Sequence, residues 1–217
     1  MRRTRALALA GAGAAIFALS TRLATAEGPR RAESRAFHAV NGLPQWLYPV
    51  LWGPMQLGNL VVGTVVALAV AVFSRRPRVA MATLGAVALK LLVERIIRER
   101  LTADLDRQRP GTSRVDAVLR GRVPVEGHSF PSGHVILVAA LATILTPMLP
   151  RRWSALPWAA VGLVAFGRVY VGAHNPLDVT AGCGVGLSVG ALLDFAVGDE
   201  HNHASRKTQA SSRRRSW

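Results

Sequence analysis

From Ala36 to Ser74 the chain runs for 39 residues without an Asp, Glu, Lys or Arg. A domain folded in water seldom leaves so long a stretch uncharged, because its outward faces need polar side chains. Further charge-free runs cover Ala6 to Thr21, Gly127 to Pro150, Trp153 to Gly167 and Val179 to Leu193. About 20 apolar residues carry a helix across the hydrocarbon core of a bilayer. The runs therefore predict an all-α polytopic membrane protein, a six-transmembrane-helix bundle with spans near 6–26, 50–73, 78–97, 134–149, 155–173 and 177–197. Residues 36–49, with Asn41, Gly42, Pro44 and Pro49, read as an interfacial segment that sets Trp46 and Tyr48 at headgroup depth. One membrane domain, 1–197, is expected, followed over 198–217 by a basic tail of disordered composition.

Lys and Arg number 27 against 12 Asp and Glu, a net charge of +15, and only Lys90 and Lys207 are lysines. With abundant Ala, Gly and Val, this arginine usage suggests a GC-rich bacterial genome. So basic a chain would ordinarily point to nucleic acid, but here the charge lies between apolar runs, and the expected partner is a membrane. Cys183, the only cysteine, excludes an internal disulfide and a cysteine-built zinc site. Arg2, Arg3 and Arg5 precede the first span, and Ala24-Thr25-Ala26 resembles a small-residue cleavage site. That span is either retained or removed as a signal peptide, and residue 27 lies outside in both cases. Arg75, Arg76, Arg78, Arg151, Arg152 and the basic tail put their connections on the cytoplasmic side. Segments 22–35 and 95–122 hold twelve arginines of their own, but interleaved with acidic residues, and are assigned outside. The expected location is the cell membrane, multi-pass; nothing in the sequence bears on oligomeric state.

Three clusters stand on the outer side of this topology: Arg107-Gln108-Arg109-Pro110, Phe130-Pro131-Ser132-Gly133-His134, and the stretch from Arg168 to Asp178. In the third, Asn175-Pro176 reads as a helix start, and His174 and Asp178 are four apart, within reach on one helical turn. An Asp that accepts the proton of one ring nitrogen leaves the other free as a nucleophile; the alternative is a His and an Asp that merely cap a helix. Arg168 offers a planar guanidinium suited to phosphate oxygens. In the second cluster a helix start at Ser132-Gly133 presents backbone amides and a positive dipole end to an anion. His134 follows just inside a span, where an ionisable residue is a functional candidate and can protonate a departing oxygen.

Arg109-Pro110, Pro131-Ser132-Gly133-His134 and Arg168-x5-His174-x3-Asp178 together resemble the three-part signature of the type 2 phosphatidic acid phosphatase family. The resemblance implies a helical membrane enzyme with its active site at one membrane face. It implies hydrolysis of a lipid phosphomonoester or diphosphate, of the polyprenyl diphosphate, phosphatidate or phosphatidylglycerol phosphate class. His174 is then the nucleophile that becomes phosphohistidine, Asp178 its support and His134 the acid. Arg109, Ser132, Gly133 and Arg168 hold the phosphate, and neither a metal nor another cofactor is needed. Two positions depart from the signature. Thr102 stands where the family has a lysine; either Arg98 substitutes, with Lys90 and Arg95 deeper in the span, or the loop holds a short insertion. Gly167 precedes Arg168 in place of a serine, so its backbone N–H is the expected replacement donor. These departures favour the rival reading, a non-catalytic membrane protein of the same fold that binds lipid phosphates.

Overall fold

The structure is a computed structural model that describes residues 3–25, 31–74, 76–101, 105 and 107–213, those from 198 onward as backbone only. The described residues form an all-α bundle. Its helices are α1 (Arg3–Ala24), α2 (Arg31–Asn41), α3 (Leu47–Met55), α4 (Leu60–Phe73) and α5 (Pro77–Ile96). After a π-turn over Ile97–Leu101 come the short α6 (Pro110–Ser113), then α7 (Gly133–Leu145), α8 (Leu156–Tyr170) and α9 (Pro176–Arg213).

α7 is the centre. It is uncharged, nearly every one of its side chains is buried, and α4, α5, α8 and α9 pack around it. Val135, Val138 and Ala139 meet Phe37 of α2 and Val161 and Val164 of α8, while Leu137, Leu141 and Ile144 meet Ala67 of α4 and Ala82 and Ala86 of α5. The outer helices turn large apolar side chains outward: Val61, Val72 and Phe73 of α4 are 71%, 70% and 82% exposed. A helix apolar on all faces belongs in a core or in lipid.

Among the described residues two helices, Arg3–Ala24 and Pro176–Val197, are long and apolar enough to cross a membrane. A third counts if Leu47–Gly58 and Leu60–Phe73 form one broken span. α7 and α8 are short, at 13 and 15 residues, and α5 carries Arg78, Lys90, Glu94 and Arg95. The stretch expected as a span near 50–73 is bent by 63° between its two helices. Asn59 leaves the helical conformation at ψ 139°, and its side-chain oxygen accepts the Val61 N–H at 2.9 Å, starting α4 afresh. Gly58 lies so close to α7 that a Cβ there would stand 2.8 Å from that of His134. The expected interfacial segment divides between the end of α2 and the start of α3. The backbone also stays helical past 198 to Arg213, where composition suggested disorder; extending a helix already nucleated costs little per residue.

Gly182, Gly186 and Gly190 of α9 let it lie directly on α7. A Cβ at Gly182 would stand 2.6 Å from the Ser132 carbonyl oxygen, one at Gly190 2.6 Å from that of Ala140, and one at Gly186 would strike that of Ile136. Gly186→Val should therefore force the helices apart and cost about 1–3 kcal/mol, read as a lowered unfolding temperature in detergent.

Candidate active site

The local sequence ends one helix and starts another around His174. Gly172, at φ +75°, takes the left-handed conformation that closes α8. Four residues later Pro176 opens α9. Asp178 occupies the first turn, and its Oδ2 accepts the Asn175 N–H at 2.7 Å, half of a capping box. Its Oδ1 accepts from Arg107 Nε at 2.6 Å.

The reach expected between His174 and Asp178 is present, but longer than a hydrogen bond. Their closest atoms, Nδ1 and Oδ2, are 3.7 Å apart, whereas Nδ1 lies 2.9 Å from the Ser129 carbonyl oxygen. A carbonyl only accepts, so Nδ1 carries the proton and Nε2 keeps the lone pair. The Ser129 carbonyl is thus the nearer acceptor for the Nδ1 proton, with the Asp178 carboxylate beside it. His174 is buried, and burial pushes its pKa below the usual histidine value, with Asp178 pulling it back in part.

Arg107 ties the site to α2. It bridges Asp178 and Glu33, whose carboxylate takes Arg107 Nη2 and also accepts the Leu177 N–H at 3.0 Å. Burial alone would lower the Arg107 pKa, but the two carboxylates raise it above the ordinary value. Neither Glu33 nor the pairing of Arg107 was expected from the sequence. Arg114 binds the Asn175 side-chain oxygen at 3.0 Å, and Arg120, stacked on Tyr170, donates to four acceptors, including the Tyr170 and Asn41 carbonyls.

The other expected residues gather here too. Arg109 donates to the Ala173 carbonyl at 3.0 Å; burial first, then the charge of Arg98, lowers its pKa. The Arg168 carbonyl accepts the Ala173 and His174 amides, and the Ser132 N–H donates to the Asp178 carbonyl at 3.0 Å, joining the starts of α7 and α9. His134 and Arg168 line one cavity. Gly133 lies against the Glu94 carboxylate, which pairs with Lys90 and Arg98 at 2.6 Å each. Ser132 opens α7 without a side-chain cap. Its buried Oγ, Arg109 Nε, Arg168 Nε and Arg98 Nε have no hydrogen-bond acceptor among the described residues.

Two expectations fare differently. Thr102 lies outside the described residues. Gly167 sits within α8, where its N–H belongs to the helical ladder; it is small because Met55 packs on it. It is not the replacement donor. Among the described residues, no three of His, Cys, Asp and Glu group together to hold a metal.

Decaprenylphosphoryl-5-phosphoribose phosphatase of Mycobacterium tuberculosis is 31% identical over 122 residues, 55% of this chain and 59% of that protein. An undecaprenyl-diphosphatase of Sulfolobus acidocaldarius is 44% identical over 55 residues, 25% of this chain and 27% of that one. Both matches thus span less than two thirds of the relatives' lengths. Among solved structures, Aquifex aeolicus LpxE superposes with a TM-score of 0.62 at 23% identity, over 73% of this chain and 92% of that one. A transmembrane PAP2-type phosphatidylglycerolphosphate phosphatase from Bacillus subtilis gives 0.61 at 23%, over 85% and 94%. These two share the fold. The model of the PAP2 superfamily, the type 2 phosphatidic acid phosphatases, matches residues 60–196. With all three motif clusters inside that stretch, the chain belongs to the PAP2 superfamily.

Proposed function

We propose that this protein is a metal-independent membrane phosphatase that hydrolyses a lipid phosphomonoester or diphosphate through a phosphohistidine. The observation that carries this is a set of buried donors without acceptors among the described residues: Ser132 Oγ at the uncapped start of α7, with Arg109 Nε and Arg168 Nε. A buried donor left unpaired costs about 1–3 kcal/mol, and a phosphate would supply acceptors for all three.

In this mechanism His174 Nε2 attacks phosphorus while the bond to the leaving oxygen breaks, and His134 passes its proton to that oxygen. Arg109, Arg168, Ser132 and the Gly133 amide hold the equatorial oxygens, whose charge dominates phosphoryl transfer. Arg98 stands behind them in place of the family lysine. Water, deprotonated by His134, then attacks the phosphohistidine, releasing phosphate and restoring both histidines. Ser129 orients His174, and Asp178 supports its developing charge from 3.7 Å. Phosphate release should persist undiminished in excess chelator and be inhibited by vanadate, whose five-coordinate form mimics the transition state. Loss of activity in chelator, restored by magnesium, with vanadate inert, would replace the histidine mechanism by a metal-assisted one.

We further propose six membrane passes within residues 1–197 and a site on the extracytoplasmic face, in a multi-pass protein of the cell membrane. The paired arginines at 151 and 152 support this orientation. With Cys183 replaced, a cysteine introduced at 111–122 should react with an impermeant thiol reagent on intact cells, and one at Arg76 only after the membrane is opened. The reverse pattern would put the site in the cytoplasm.

A further inference from the structure

Glu33, Phe37 and Asn41 form the buried stripe of α2, so a carboxylate stands where an amphipathic helix usually turns an apolar side chain inward. An ionised carboxylate is expensive to bury. A Gln at this position could accept the same two hydrogen bonds, from Arg107 and from the Leu177 N–H. The packing thus asks for an acceptor at 33, and the negative charge needs a separate reason. Neither Glu33 nor Arg107 belongs to the three-part signature.

A charge count supplies that reason. In the phosphatase mechanism proposed above, on which this inference rests, His174 Nε2 bonds to phosphorus while Nδ1 keeps its proton. The ring then carries a formal positive charge until water releases phosphate. Asp178 of α9, Arg168 of α8 and Arg109 of the loop before α7 all act on that ring, and His134 of α7 lies near it. The substrate's own phosphate answers Arg109 and Arg168. Asp178 is left to face the cation, but Arg107 already bonds its Oδ1 at 2.6 Å, and the two charges of that pair sum to zero. Glu33, on the other end of Arg107, returns the sum to minus one. Arg114, the other cation beside Glu33, is answered by Asp116 as well.

We propose that Glu33 is a positioning residue for the reaction: by taking up the charge of Arg107, it leaves Asp178 with a net negative field toward His174 that stabilises the cationic phosphohistidine. Each member of the chain has its part. Asp178 without Arg107 would be an unpaired buried carboxylate, which takes up a proton rather than stay charged. Asp178 with Arg107 alone would be held in place but electrostatically spent. Glu33 restores the charge from a distance, through a bond that leaves the geometry around His174 untouched.

The test uses the full chain purified in detergent, with phosphate release measured on p-nitrophenyl phosphate, phosphatidate and a polyprenyl diphosphate. The first has a leaving group that needs no proton from His134, so it reports the histidine's attack directly. Glu33→Gln should lower the plateau of kcat/KM about tenfold. It should also move the acid limb about 0.5–1 pH unit lower, because a ring with less negative charge beside it holds its proton less tightly. Glu33→Asp keeps the charge and should keep the limb at the wild-type position, while its shorter side chain lowers the unfolding temperature. Arg107→Gln leaves two carboxylates unanswered and should move the limb to higher pH; that sign decides the matter if Glu33→Gln does not fold. The role of Glu33 is overturned if the limb stays in place in Glu33→Gln, or moves down in Arg107→Gln. It is overturned equally if Glu33→Asp shares the shift of Glu33→Gln, since reach and not charge would then be what matters. Release by the wild type with all limbs coincident refutes the role of Glu33 alone. No release by the wild type from any of the three substrates refutes the phosphatase reading and this role with it.

Discussion

His174→Ala should abolish phosphate release, by at least about a thousandfold, because no other group can replace an in-line nucleophile. The protein should still fold, losing no more than about 1–3 kcal/mol for the stranded Ser129 carbonyl. His134→Ala should behave differently, keeping slow turnover of substrates whose leaving groups need no proton. Near wild-type release by His174→Ala would remove the nucleophile assignment. The pH dependence carries the same signature. His174 reacts only when neutral, and burial lowers its pKa, so the acid limb of kcat/KM should fall below pH 6.5, the ordinary histidine value. Stability follows the same sign. The unfolded chain takes up the proton first, so the contribution of His174 is full above about pH 6.5 and declines as pH drops below it. An acid limb above the ordinary histidine value would mean that another group governs the rate.

The largest loss of stability is expected from Arg107→Ala. Glu33 and Asp178 are 7% and 0% exposed, and Arg107 holds both carboxylates. Removing it strands two buried charges, at a cost of about 3–5 kcal/mol. Arg107→Lys should recover only part of this, since one ammonium cannot reproduce separate contacts from Nε and Nη2. Thermal unfolding in detergent, with Glu33→Gln as the second member of a double-mutant cycle, checks it. Additive losses for the two changes would show that the ion pair does not couple α2 to α9.

Local signals carried most of what the sequence revealed. Ser132 and Pro176 do open helices, and residues flanking them lie near Arg109 and Arg168. What escaped was long-range. Arg107 meets partners 71 and 74 positions away, and no periodicity or motif links Glu33 to Asp178. The capping role of Asp178 was legible as an alternative; that Ser129 would orient His174 was not, because any backbone carbonyl can accept and sequence does not mark which will. The bend at Gln56–Asn59 was hidden by the apolar character of both halves, although Asn59 is itself a strong helix-start residue. Arg114 and Arg120, counted as loop charge, turn out to be internal fasteners, a distinction that only packing makes.

The beginnings of α7 and α9 are joined but unequally finished. α9 is completed from within, since Asp178 and Glu33 take the amides of Asn175 and Leu177. α7 starts with no side chain bonded to its first turn. On the proposed reading, an oxyanion arriving there would finish a helix that the polypeptide alone does not, and a bound phosphate would be in part a structural component of the fold. The native state should accordingly harden with ligand concentration, by RT ln(1 + [L]/Kd). The unliganded protein is then the loosest state, and α7, the element around which α4, α5, α8 and α9 are packed, is where that looseness begins.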